Sequence, residues 1–256
     1  MKIQRYFMEV FYKGTDYSGF QVQQNANSIQ AEIEKAFSVL QKQQVRLTGA
    51  SRTDTGVHAL RNYFHFDLDG VLHPQFIYKI NAILPGDIGI KNITKVSTQS
   101  HCRFDAISRE YNYYVYRYKN PFLKDRAYYF PYTLDIEILK EAAAVIKEYN
   151  DFTSFSKRNS QVKNFECIIE SSEWIKEGDM LVFNVKANRF LRGMVRGLTG
   201  TMLQLGRGKS SITDLRNIIL AKDCTVADFS VPSHGLFLVD VQYPTGYFEN
   251  MNIDSE

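Results

Sequence analysis

Two hydrophobic periods alternate along this chain. Arg5 to Tyr12 is apolar and aromatic apart from Glu9 and predicts a strand. Gly14-Thr15-Asp16-Tyr17-Ser18-Gly19 then reads as a turn or loop. From Ser28 to Leu40 the period lengthens. Ile29, Ile33, Ala36, Phe37 and Leu40 share one helical face, with Asn27 and Gln30 as the cap pair. Val45 to Thr48 and Arg61 to Leu68 predict strands, the second setting Phe64, Phe66 and Leu68 against Tyr63, His65 and Asp67. A helix starting at Pro74 has to end before Pro85, and Ile88 to Val96 predicts a strand.

The second half repeats the mixture. Arg109 to Tyr118 predicts a strand, and Leu134 to Tyr149 a helix with Ile136, Leu139, Ala143 and Ile146 on one side. Phe165 to Ile175 and Met180 to Ala187 predict strands joined by the turn Lys176-Glu177-Gly178-Asp179. A helix from Arg189 to Leu205 is expected with Asn188 as its cap, and another opens at Ser211 with Asp214 completing a capping box. Gly235 to Gln242 is the last expected strand. No low-complexity linker interrupts this order. The pattern predicts α+β architecture with antiparallel connections, in domains 1–104 and 105–245, followed by an acidic tail, 246–256.

Composition narrows the class. The chain has 256 residues, 44% of them hydrophobic, which is enough to bury a substantial core. No apolar run approaches the roughly 18 residues that span a bilayer, and the N-terminus lacks the apolar stretch of a signal peptide. Cys102, Cys167 and Cys224 are dispersed and odd in number, which points to a reducing, cytoplasmic setting. No pair has metal-ligand spacing, and no metal is expected. The net charge of +3 is modest, but its distribution is not even. Lys186 to Lys209 carries six basic residues and no acidic one, which suits phosphate contacts, although a solvated helix face would look the same.

Candidate chemistry centres on Ser51-Arg52-Thr53-Asp54-Thr55-Gly56-Val57-His58-Ala59, between two expected strands. A carboxylate on a connection, followed by a glycine that permits close approach, can serve as nucleophile or base. An Asp before Gly can equally be a turn residue. Asp54-Thr55-Gly56 also matches the triplet of aspartic proteases. There, however, two acids share a proton, whereas here Arg52 favours the ionised form and no second triplet exists.

The Ala50–Ala59 run resembles the catalytic motif of the tRNA pseudouridine synthase A family. Other segments match in family order. They are Tyr12 to Gln21, Ser28-Ile29-Gln30, Asn81 to Pro85 with Asp87-Ile88, His101 to Phe104, and Arg109 to Tyr113. Asp151 to Phe155, Asn188 to Leu191 with Met194-Val195-Arg196, and Gly235 to Val239 complete the set. Together they cover nearly all of residues 5 to 245.

The resemblance implies the pseudouridine synthase fold, with two related domains of mainly antiparallel sheet around a central cleft. It implies a homodimer, no metal or organic cofactor, and tRNA as partner. The substrate would be uridine at positions 38, 39 and 40 of the anticodon arm. By position, Asp54 would be the nucleophile or base, Arg196 its cationic partner or a phosphate contact, and Tyr111 the residue at the uracil. Arg52 would displace the flipped base, and Leu238 would wall the pocket. His58 would contact phosphate or hold the loop. Arg189, Arg192 and Arg196, read as one helix face, would follow the RNA backbone. Gly193, Gly197 and Gly200 would let that helix approach a strand or RNA, or pack plainly.

Several positions depart from the family pattern: Ser51 for Gly, Thr55 for Ala, Lys13 for Asp, Phe20 for Trp, Glu110 for a basic residue and Gly197 for Asn. They bear on substrate contacts and leave Asp54, Arg52 and Tyr111 in place. An RNA-binding protein without catalysis would need the basic surface but not those three side chains.

Overall fold

The branched and aromatic side chains of β1 (Ile3–Tyr12) set alternate residues on two faces of a sheet. In the computed structural model, which describes residues 3–158 and 162–249, β1 is central to the first of two compact units. That unit holds the chain up to Ile107 and again from Leu238. Ser108–Phe237 forms the second. Asp254 and Glu256 of the expected acidic tail lie outside the described residues.

In the first unit β1 pairs antiparallel with β3 (His58–Asp69) and β4 (Ile88–Val96), and the short β2 (Thr48–Gly49) pairs with β3. Helices α1 (Ile29–Gln41) and α2 (Phe76–Ile83) cover one face. There Phe37 packs edge-on to Phe66 at 5.0 Å and tilts against Phe76 at 4.9 Å. The cap of α1 is Ser28, whose hydroxyl accepts the Ala31 N–H, rather than Asn27. The expected strand from Val45 shrinks to Thr48–Gly49.

The strict alternation expected in β3 fails at Tyr63 and His65, which are buried like Phe64 and Phe66. Residues from the chain's end cover that second face. Tyr243 meets Tyr63 edge-on at 5.1 Å, and Phe248 stacks on Tyr63 at 5.8 Å.

The second unit pairs β5 (Ser108–Tyr116) with β8 (Met180–Ala187), and β8 with β7 (Ile169–Glu177), both antiparallel. The two-residue β6 (Tyr128–Tyr129) runs parallel to β5. Helices α3 (Ile136–Val145) and α4 (Met194–Gly206) pack beside the strands, and α5 (Ile212–Ala221), which packs against those two helices, carries the expected Ser211–Asp214 capping box. Strand β9 (Leu236–Gln242) is the last.

Two departures from expectation in the second unit have a local cause. Phe165 to Ile168 lies outside β7: Glu166 bridges to Asp151, the Phe152 N–H donates to the Phe165 carbonyl and the Cys167 N–H to the Asn150 carbonyl, while Asn188 pairs with Ile168 through both its backbone N–H and its side-chain oxygen. That use of Asn188 removes it as a helix cap. Helix α4 starts five residues later than expected, after Gly193 at φ +77°. The chain is therefore α+β. No helix among the described residues is long and apolar enough to cross a membrane.

Candidate active site

The acidic loop is clasped by the segment that follows β1. The buried hydroxyls of Tyr12 and Thr53 share a hydrogen bond of 2.8 Å. Asn62 Nδ2 donates to Tyr12 Oη at 3.2 Å and to the Ser51 carbonyl at 2.9 Å. With Oη accepting from Asn62, its proton is free to point at Thr53. Burial pushes the Tyr12 phenol up to about 12. The Phe20 N–H donates to the Thr53 carbonyl at 3.1 Å, and the Gly14 N–H to His58 Nδ1 at 3.1 Å. Phe20 itself stacks on Phe64 at 4.4 Å, so both segments are tied to the core of the sheet.

This clasp sorts the loop's side chains. Ser51 and Thr53 are buried, Arg52 is exposed, and Asp54 is half-buried. The reactive candidates thus lie on the solvent side of a backbone that the neighbouring segment holds. The Val57 N–H donates back to the Asp54 carbonyl at 3.2 Å and closes a turn just after the acid. His58 is 1% exposed, which suits an anchor for the loop. Leu238, on β9 in the same unit, is fully buried.

The remaining candidates lie in the second unit. Tyr111 on β5 is buried, with its ring edge-on to Phe190 at 5.1 Å and 83°. Arg189 and Arg192 precede α4 rather than riding on it, so the expected i, i+3, i+7 face of three arginines does not form. The physical reason is Gly193, whose left-handed conformation breaks the helical path between Arg192 and Met194. Arg192 is exposed and Arg189 half-buried.

Arg196 sits in the first turn of α4. Its Nε and Nη2 donate to the Val231 carbonyl at 2.9 and 2.6 Å, and Nη2 also reaches the Phe229 carbonyl at 3.4 Å. The Asp228–Pro232 arch is further held by α4. Gln204 Nε2 donates to Asp228 Oδ2 at 2.8 Å, and the Asp228 N–H donates to Thr201 Oγ1 at 3.1 Å. Burial would raise the Asp228 carboxyl, but its hydrogen bonds from Ser230 and Gln204 outweigh this and hold it below the usual carboxylate range. Gly197 and Gly200 serve this packing. A Cβ on Gly200 would stand 2.2 Å from the Asp228 carbonyl oxygen, and one on Gly197 would stand 2.8 Å from the Phe229 ring.

One group among the described residues could hold a metal ion. The ligand atoms of His65, His101 and Cys102 lie within 4.8 Å of one another. His65 and Cys102 are 37 residues apart in sequence, so spacing could not reveal them. Here the Cys102 N–H donates to His65 Nδ1 at 3.3 Å, the Cys102 thiol to the Thr48 carbonyl at 3.1 Å, and the Arg103 N–H to His101 Nδ1 at 3.2 Å. These contacts tie the turn after β4 to β2 and β3.

A half-buried acid on a clasped loop beside an exposed arginine defines a candidate catalytic centre. A family model described as tRNA pseudouridine synthase matches residues 10–105 and 149–244. The chain belongs to that family. It is 44% identical over 248 residues to the tRNA pseudouridine synthase A of Parabacteroides distasonis, covering 96% of this chain and 98% of that protein. It is 42% identical over 247 residues to the protein of the same name from Azobacteroides pseudotrichonymphae, covering 96% and 99%. It is 43% identical over 250 residues to the one from Bacteroides thetaiotaomicron, covering 96% and 93%.

Proposed function

We propose that this protein is a tRNA pseudouridine synthase that isomerises uridine at positions 38, 39 and 40 of the anticodon arm, with Asp54 as nucleophile or base. The clasped loop carries the reading: it fixes the backbone on both sides of Asp54 while leaving the Asp54 side chain half-exposed. Family membership supports the reaction class.

The reaction breaks the C1′–N1 bond of uridine, turns the uracil, and forms a C1′–C5 bond, after which the C5 proton leaves. A carboxylate can attack C1′ and hold the sugar covalently until C5 returns. It can instead take the 2′ proton and generate a glycal. Both routes need the base out of its stack. The exposed Arg52, two residues from Asp54, has the planar guanidinium to fill the vacated space. Tyr111 is assigned to the uracil face, Leu238 to the apolar wall, and Arg196 to the electrostatic support of the acid. Arg189 and Arg192 are assigned to phosphate, and His58 to the loop or to phosphate. We further propose that the enzyme works in the cytoplasm as a homodimer.

The test uses tRNA tritiated at uridine C5. The wild type is expected to release tritium and Asp54→Asn is expected to release none. Release that persists in Asp54→Asn would remove Asp54 from the chemistry. Binding of tRNA by the wild type without release would favour an RNA-binding protein.

A further inference from the structure

The second unit carries a cavity that the proposed chemistry leaves unused. Its volume is about 230 Å³, and it is lined by Lys157, Arg158, Cys224, Thr225 and Phe229. That is below the roughly 300–1,000 Å³ of sites that enclose drug-sized ligands, so a compact occupant fits it best. The lining combines two cations, an aromatic ring, a hydroxyl and a thiol.

Three of the five lining residues are held from behind. The Lys157 N–H donates to the Arg192 carbonyl at 2.9 Å, and the Lys157 stem lies along Gly193, where a Cβ would come within 2.9 Å of Lys157 Cγ. The Phe229 ring is backed by Gly197. Thr225 is set by Asp223, whose Oδ1 accepts the Thr225 N–H at 2.8 Å, while the Asp223 N–H donates to Ser154 Oγ at 3.0 Å. The hydrogen bonding with Thr225, more than Arg158, holds the Asp223 carboxyl below its ordinary range. Among the described residues neither Lys157 nor Arg158 is in an ion pair, whereas the nearby Lys222 is matched to Asp151 at 2.7 Å.

We propose that this cavity holds one nucleotide of the RNA substrate, with its base against Phe229 and its phosphate on Lys157 and Arg158. An aromatic ring accepts any base face, and paired cations recognise the phosphate that every nucleotide carries. The choice of RNA as the source rests on the tRNA reading above. A free mononucleotide or inorganic phosphate offers parts of the same chemistry, and the experiment separates them.

Cys224 makes the cavity observable. It is half-buried in the lining, while Cys102 and Cys167 are buried. Labelling of the wild type with an aromatic disulfide is followed with tRNA, uridine 5′-monophosphate, uridine or inorganic phosphate. Tritium release is measured in parallel. Cys224 labelling is expected to slow with tRNA and with millimolar nucleotide, but not with uridine or phosphate alone. The double variant Lys157→Ala/Arg158→Ala, at one half-buried and one exposed position, is expected to lose this protection while keeping the wild-type thermal midpoint to within a few degrees. Its tRNA affinity is expected to fall about tenfold and its salt slope by about one, the loss of one neutralised phosphate.

Bound tRNA that leaves Cys224 labelling unchanged would overturn the inference. So would phosphate that protects as well as the nucleotide. Tritium release without protection would sink the cavity and leave the isomerase standing. Protection without release would do the reverse.

Discussion

The Gly14 amide donates to His58 Nδ1 at 3.1 Å, and a Cβ on Gly14 would stand 2.0 Å from the Val57 carbonyl oxygen. Backbone meets backbone there, so neither side can yield by turning a side chain. The requirement is space alone. Gly14→Ala should therefore cost about 1–3 kcal/mol, as overpacking does elsewhere. It should cost activity more than stability, because a displacement near 1 Å in a positioned reactive group lowers rates about a hundredfold. Thermal unfolding and tritium release on the same preparation check this. Full activity in a destabilised Gly14→Ala protein would break the link between the clasp and Asp54.

Tyr12→Phe removes one oxygen and leaves Thr53 and Asn62 without a shared partner. Loss of a buried hydroxyl of this kind costs about 1–2 kcal/mol. The phenol also carries a pH signature. Its folded value, about 12, lies above the ordinary tyrosine value of 10.0. The folded state thus binds this proton more tightly, and the associated stability is present below pH 10 and lost as pH rises toward 12. Urea unfolding from about pH 8 to 11 should show a steeper alkaline decline in the wild type than in Tyr12→Phe. Parallel curves would mean that Tyr12 ionises as freely folded as unfolded.

These contacts also mark where the sequence was informative. The periods of Ile29–Phe37 and Phe64–Leu68 report helix and strand because each buries one face against the other. The start of α4 was illegible for a local reason: Arg189 to Leu205 scans as helical until Gly193 is known to take a positive φ, and a single glycine does not announce its conformation. Tyr63 and His65 read as a solvent face because Tyr243 and Phe248, which pack over Tyr63, lie far along the chain. The Lys157–Phe229 cavity escaped for the same reason. In contrast, Asp54 stood out through the resemblance carried by its own run and by Tyr12 to Gln21, and the structure shows Tyr12, Gly14, Phe20 and Thr53 of those runs clasping its loop.

His65 gives an acid-side test. Burial pushes its imidazole down to about 4, with Arg5 and His101 adding to the shift while Asp67 and Asp105 oppose it. The unfolded chain, near the ordinary value of 6.5, binds the proton more readily. Stability from this site is therefore complete above pH 6.5 and lost as pH falls through about 4. After allowance for solvent screening the amplitude should be about 1–2 kcal/mol. His65→Gln should lower stability above pH 6.5 and flatten the curve between about pH 4 and 6.5. Urea midpoints at closely spaced pH values decide this, and an equally steep curve in His65→Gln would assign the acid sensitivity elsewhere.

Arg192 and Arg196, four residues apart, should separate binding from architecture. Arg192 is exposed, and its replacement by Ala should change stability by no more than about 0.5 kcal/mol. It should weaken tRNA binding and reduce the salt slope by about one, the mark of a lost phosphate contact. Arg196 holds the arch through Val231 and Phe229, so Arg196→Ala removes two donors from the carbonyl of the buried Val231 and one from that of Phe229. A cost of about 1–3 kcal/mol follows from the unpaired acceptors. Arg196→Lys keeps the charge but not the planar fork, and should recover little of the stability because one ammonium cannot reproduce the Nε and Nη2 pair. If Arg196 also supports the acid during reaction, Arg196→Lys should fall mainly in kcat, whereas Arg192→Ala should fall mainly in KM. Equal effects on both parameters in both variants would show that the two arginines share one role on the RNA backbone.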